Sequence, residues 1–422
     1  MKNRLSVILL LILTLTACIP TNKNPENGAN PPPDKSPTNP IKTQPFGTQD
    51  TSPAAQPTNM GDSLEVSWVK SFTGPDYGAF FDLIRAEDDN LIVVGATNHR
   101  HMPPYSGDSL ILKLSPAGEI IWEKTWGGEG YEQAWEISPA EDGGYLIFGE
   151  TDSYGAGDRD FFLLKTDQEG IQESFRTYGG SLREWPFGML SLSNGDLLLY
   201  GLTELDDGTG RNEYAVRVGN SGDVIWEHIG EGLGEELVLD ALEIRENEII
   251  LVVSADEDAK LVTLDKDGHL LRENLFEIPG WQYFSTIAPI DGGDLILAGF
   301  WMKDGPPRQA DTWLMRCTSD AKVIWEKTLG DPKNDDYAQS LIRLADGNFL
   351  IGGLGEGMPL TLVDEHGGIL WQQSLLGSGV YLADALLEQE AGFLAAGFVQ
   401  LINGQSYDAI LVQMNLEEKL GE

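Results

Sequence analysis

The chain is predicted to be all-β, a seven-bladed β-propeller of four-stranded antiparallel blades, and three observations predict it. Apolar runs such as those at 146–148 and 161–164 are short, the length of strands rather than helices. The 49 glycines and 22 prolines supply many turns. Above all, an aromatic or apolar residue leading a "W-E-K-T" type strand returns at Trp68, Trp122, Phe175, Trp226, Leu275, Trp325 and Trp371, with spacings of 54, 53, 51, 49, 50 and 46 residues. A fixed period of this length marks a repeat architecture. Four-stranded units of about 50 residues bury their faces against two neighbours, as propeller blades do. A β-sandwich has no reason to carry such a refrain, and solenoid units are usually shorter and parallel.

Ahead of the repeats stand two segments of different character. Residues 1–18, "MKNRLSVILLLILTLTAC", begin with Lys2 and Arg4 and continue into an apolar run too short to span a bilayer, the pattern of an export signal. The four residues 15–18, Leu-Thr-Ala-Cys, resemble the lipobox of bacterial lipoproteins. That resemblance implies a lipid-modified Cys18 at the mature N-terminus, with palmitate among its acyl chains, and hence stable membrane attachment. Ile19 rather than Asp follows the cysteine, which by the same resemblance implies sorting to the outer membrane in a two-membrane bacterium. Residues 19–62 hold ten of the 22 prolines among Thr, Asn, Ser and Gln, too little apolar surface to fold. They read as a spacer reaching up to about 130 Å in extended polyproline conformation. The propeller is expected over 63–422.

Within each repeat a first strand such as "AWEIS" meets a Gly/Asp/Asn turn, and a second strand usually closes on glycine, at Gly95, Gly149, Gly201, Gly299, Gly352 and Gly397, with Ser254 the exception. A third strand of the type "FFLLKTD" then meets a tight turn before the Trp-bearing fourth. The chain opens with a lone fourth strand, "SLEVSWVKSF", and closes with a third, "DAILVQMNL". The N-terminal strand is therefore expected to complete the last blade and remove an exposed edge.

This repeat, "DGGY-x-x-x-G-x-T … D-x-x-L-x-K-x-D-x-x-G-x-x-x-W", resembles that of a large family of secreted and lipid-anchored bacterial propellers. The resemblance covers nearly everything from residue 63 onward and is clearest in repeat two and weakest in repeat four. Its G-x-x-x-W part is similar to the tryptophan-docking element of quinoprotein-like propellers. What the resemblance implies is the fold. The residues with which quinoprotein enzymes hold quinone and calcium are not matched, so no cofactor is expected.

Sixty-seven acidic against 28 basic residues, a formal charge of −39, exclude a nucleic-acid partner, which would need clustered Lys and Arg. Cys317 continues an apolar alternation and reads as a small strand residue. No nucleophile elbow, phosphate loop or paired His-Ser arrangement is present, so no enzymatic activity is expected. His99 with His101, and Asp152 with Asp158 and Asp160, lack the spacing of known metal sites, and no metal is expected.

Strand direction alternates within a blade, so the first-to-second and third-to-fourth turns share one face and are uniform. The second-to-third and inter-blade loops share the other and are unequal. Recognition on rigid scaffolds concentrates in variable loops. On that face an aromatic precedes or opens the first strand of six repeats: Tyr77, Tyr131, Trp185, Trp281, Tyr337 and Tyr381. These are the candidate ligand-binding residues, a broken collar at the channel mouth; the competing expectation is that they pack between blades. The expected function is a lipid-anchored extracytoplasmic module that binds or scaffolds another protein of the bacterial cell envelope, with carbohydrate binding as the alternative.

Overall fold

The computed structural model describes residues 49–50, 64–73, 78–97, 107–205, 210–232, 234–245, 248–303, 310–330, 335–377, 379–390, 392–400 and 407–416. The segment 1–18 with Cys18, the linker apart from 49–50, Tyr77, His99 and His101 lie outside them.

Repeats one to five each form one antiparallel sheet of four strands in chain order. In repeat two these are Glu132–Pro139, Tyr145–Thr151, Asp160–Thr166 and Gln172–Tyr178. The remaining strands join in a nine-stranded sheet. One part of it holds Tyr337–Arg343, Phe349–Glu356, Pro359–Val363 and Ile369–Ser374. The other runs from Val380–Gln389 through Gly392–Gln400 and Tyr407–Leu416 to Leu64–Phe72, with Gln49–Asp50 at its edge. Three residue pairs, from Leu354 opposite Leu382 to Glu356 opposite Val380, link the two parts. The N-terminal strand thus completes the last repeat, as the sequence predicted. First strands of successive repeats pack side by side, and Val380–Gln389 packs back on Ala79–Arg85, so the inner strands close a ring.

The core lies between sheets. Ile92, Val94, Ile111 and Trp126 of repeat one, for example, form a single cluster with Ala134, Ile147, Phe162 and Leu164 of repeat two. Each first strand carries a register shift against its second strand, at Phe81, Trp135, Phe187, Leu239, Ser285, Gln339 and Asp384. A β-bulge of this kind bends the strand and re-aims its side chain. Opposite the residue before the bulge sits the refrain's glycine: a methyl group at Gly149 would lie 2.0 Å from the Gln133 carbonyl oxygen. The register corrects the sequence at two places. The glycine of this kind in repeat six is Gly353, opposite Ala338, rather than Gly352; in repeat four the position is Val253, opposite Val238, rather than Ser254. The threonine of the refrain is also explained, since Thr151 donates to Glu132 at 2.8 Å and Thr203 to Glu184 at 2.9 Å, neutralising the polarity of buried first-strand acids.

At the periphery a tryptophan ties a fourth strand to the next repeat at four places among the described residues. Trp122, on a fourth strand, covers Gly170 in the third-to-fourth turn of repeat two, where φ is +71°. A methyl at Gly170 would lie 2.8 Å from the Trp122 ring. Trp68 with Gly118, Trp226 with Gly268 and Trp325 with Gly367 repeat the contact. Repeat four, where Leu275 replaces tryptophan, faces a turn in which Ala321 takes the left-handed conformation instead (φ 60°). In repeat two, where Phe175 stands in place of the tryptophan, the turn keeps Gly222 (φ +80°), so loss of the ring permits another residue there without requiring one.

Opposite substitutions at these turns should have opposite effects. Gly170→Ala is expected to lower stability by about 1–3 kcal/mol through strained φ and the ring contact. Ala321→Gly, with no ring above it, should raise stability by up to about 1 kcal/mol. Urea denaturation of both variants checks the signs; an equal loss in both would remove the role given to the tryptophan.

Candidate functional site

The ring of first strands encloses a cavity of about 720 Å³ that opens among the second-to-third and inter-blade segments. Its lining has tiers. At the mouth lie Tyr131, Arg159, Arg183, Glu235, Asp256, Glu257 and Trp281. Two residues further along the strands come Gln133, Trp185, Leu237, Tyr283, Tyr337 and Leu382. The bulge residues follow: Phe81, Trp135 and Phe187 form an aromatic arc, with ring centroids 4.7 and 6.2 Å apart, and Ser285, Gln339 and Asp384 face them. The bulge is what turns these side chains inward, because simple alternation would place neighbours of the strand on opposite faces.

At the bulge or one residue beyond it, polar side chains stitch most first strands to the next. Asp82 accepts from the backbone N–H of Leu83 (2.7 Å) and of Ile137 in repeat two (3.0 Å). Glu136 accepts from Met189 N–H in repeat three. Asp240 accepts from Ala241 (2.7 Å) and from Ile287 in repeat five (2.8 Å). Repeat three has Gly188 at this place, and the Tyr200 hydroxyl reaches across it to donate to Asp240 at 3.2 Å. Ser285 donates to the Ala338 carbonyl (2.7 Å) and Ser340 to that of Ala383 (2.8 Å). At the join of repeats seven and one the belt changes: Ala385 takes the place, and Asp384 Oδ2 is buried with no hydrogen-bond partner among the described residues.

Burial dominates the electrostatics of these acids. It raises Asp82 to about 7 and Asp240 to about 6 against the lowering effect of their backbone donors. Burial, then Asp82 and Asp240 nearby, raises Glu136; burial, then Asp82, raises Asp384 well above the usual carboxylate range. All four are partly accessible, but only toward a narrow channel.

The mouth carries a different charge pattern. Isolated parallel bridges set Arg159 beside Arg183 and Arg211 beside Glu235. Their guanidinium groups surround Trp185, with Arg183 and Arg211 each 5.1 Å and Arg159 5.9 Å from its ring centroid; Arg159 also lies 5.1 Å from that of Tyr131. Arg159 pairs with the buried Glu150 at 2.9 Å, Arg211 with Glu235 at 3.1 Å, and Arg183 meets the exposed Asp158 at 3.7 Å.

Of the six predicted collar residues, Tyr131, Trp185, Trp281 and Tyr337 line the cavity, on two tiers rather than one. Tyr381 is not in the lining and packs against an inter-sheet core; Tyr77 lies outside the described residues. Packing also engages those that line it: Trp281 and Tyr337 meet Phe300 edge-on at 5.3 and 5.1 Å. Asp152 and Asp160 serve local backbone, accepting from Tyr131 N–H and Gly157 N–H. Cys317 is fully buried among Leu295, Leu297 and Met315, its thiol pushed up to about 12 by burial, as a strand residue would be. On the opposite face Asp265, Asp267 and His269 bring ligand atoms within 4.8 Å, but Asp265 there accepts the N–H groups of Asp267 and His269, a turn function. The sequence reading missed the arginines and the bulge residues. Arg159 and Arg183 lie 24 residues apart, and a bulge leaves no mark in an apolar alternation.

Carboxyls whose folded pKa is raised above the unfolded value near 4 hold their protons longer when folded, so they weaken the fold as pH rises. Melting temperature should therefore fall between pH 4.5 and about 7.5, the window spanning the Asp240 and Asp82 values. Asp384→Asn removes the acid whose Oδ2 has no partner and should shrink that fall, as measured by calorimetry across pH. A fall of the same size in the variant would mean that Asp384 does not contribute to it.

No family model and no curated protein matches the sequence. Among solved structures, the WD40 β-propeller domain of Doa1 matches at 13% identity and a TM-score of 0.51, over 85% of this chain and 98% of that one. A protein of unknown function from Dyadobacter fermentans matches at 10% identity and a TM-score of 0.50, over 83% and 99%. BamB from Moraxella catarrhalis, at 9% identity over 90% and 99%, reaches a TM-score of 0.42, too low to carry weight. What the first two likenesses show, together with the closed ring of antiparallel sheets, is that the chain is an all-β propeller.

Proposed function

We propose that the chain is a lipid-anchored, extracytoplasmic protein-binding module of the bacterial envelope, without enzymatic activity, whose partner docks at the cavity mouth. Its propeller is counted as seven-bladed. The nine-stranded sheet is taken as two blades, because only three residue pairs join its parts whereas eight pair Leu64–Phe72 with Tyr407–Leu416. Anchorage rests on the export segment and Cys18, and the spacer 19–62 would hold the ring away from the membrane surface.

The observation that carries the docking proposal is the cavity itself: about 720 Å³, concave, rich in aromatic rings and open on the face of unequal loops. The carbohydrate alternative is weaker for a specific reason. Sugar stacking needs an open aromatic face, and Trp185 is surrounded by three guanidinium groups while Tyr131 and Tyr337 are buried.

A photocrosslinker placed at Trp281 or Glu257 in native membranes should capture a protein partner, and one placed at Asp142 or Asp346 on the uniform face should not. Adducts from the second pair alone would move the site to the opposite face. In the same preparation Cys18→Ser is expected to leave the membrane fraction; unchanged partitioning would overturn the lipid anchor.

A further inference from the structure

We infer that the cavity receives a peptide carboxylate flanked by an apolar side chain, the carboxylate seated among Arg159, Arg183 and Gln133 and the apolar group on the arc of Phe81, Trp135 and Phe187. This deepens the protein-binding proposal and rests on it.

Three independent features converge. Basic residues are outnumbered, 28 against 67 acidic, yet three guanidinium groups gather around Trp185 just inside the mouth. Ion pairing and ring contacts hold these planar donors in place, and the guanidinium fork matches a carboxylate. Next, Gln133 lines the cavity at 1% exposure, its Oε1 accepts from the Tyr131 hydroxyl, and its Nε2 has no acceptor among the described residues. A buried amide donor left without an acceptor is costly, and a ligand oxygen would satisfy it. Finally, the tier below presents the rings of Phe81, Trp135 and Phe187, so a group entering beneath the carboxylate meets these rings before the acids one residue further along the strands.

The same mouth argues for a single negative charge. Glu150, Glu235, Asp256 and Glu257 share it with the arginines, and a phosphate dianion would meet more repulsion there than a carboxylate. A uronic-acid glycan carries the right charge but lacks the apolar group that the inner arc calls for.

The test uses the full-length chain in detergent and titration calorimetry at low salt, where charge pairing is least screened. N-acetyl-phenylalanine presents a chain-terminal carboxylate; N-acetyl-Glu-Phe-amide presents a side-chain one; N-acetyl-phenylalaninamide and N-acetyl-Gln-Phe-amide are their neutral partners. At least one carboxylate probe should bind about tenfold or more tighter than its neutral partner, and which one does so identifies the source. Arg183→Gln and Gln133→Leu should each remove most of that advantage without weakening the neutral probes or lowering the melting temperature. If either variant melts early, Arg183→Lys, which keeps charge but not the fork, replaces it and should lose part of the advantage. Equal affinity within both pairs, no saturable binding of any peptide probe, or binding of digalacturonate alone would overturn the assignment. Crosslinking from position 281 reads separately: a captured partner together with carboxylate-indifferent probes overturns the ligand class and leaves the docking face standing.

Discussion

Closing a ring of sheets forces the innermost strands together, and everything else in this molecule follows from how those strands are bent and joined. Each carries a bulge at one height, opposite a position that is glycine in most repeats because the facing strand's carbonyl occupies the space a Cβ would need. The bulge turns one side chain into the channel and offers the next to the neighbouring strand. One local distortion thereby makes both the cavity wall and the belt that holds it.

That belt is polar and largely buried, which is why its acids matter. Asp82 and Asp240 satisfy backbone donors of the next repeat and take a raised pKa as the consequence of their burial. Such buried carboxyls add little net stability, since desolvation offsets much of what their hydrogen bonds contribute. Outside the belt the tryptophan and glycine pairs do the corresponding work with apolar contact, and they are looser: Leu275 and Ala321 show that one pair can be given up together.

Symmetry sets the scaffold and its breakage sets the site. Equivalent positions of the inner strands hold Phe81, Trp135 and Phe187 on one side and Ser285, Gln339 and Asp384 on the other. At the bulge positions the channel wall is therefore aromatic toward repeats one to three and polar toward five to seven. Likewise only repeats two and three contribute the arginines around Trp185. A ligand in such a channel has a preferred orientation, which a uniform ring of repeats could not impose.

The amino-acid sequence by itself determined the strand content, the period, the turn positions and the completion of the last repeat by residues 64–72, because apolar alternation, glycine placement and recurrence are local properties of the chain. It also marked four of the residues that line the cavity, since aromatics opening a first strand are visible in any repeat. Tertiary structure alone decided that these occupy two tiers, that Tyr381 turns toward the core, and that Gly353 rather than Gly352 faces the bulge. The reason is physical: a bulge shifts register by one residue, and one residue in a strand exchanges the two faces. The arginine group was equally hidden, since Arg159, Arg183 and Arg211 are brought around one ring only by bridges between neighbouring repeats, and nothing in their spacing announces that contact.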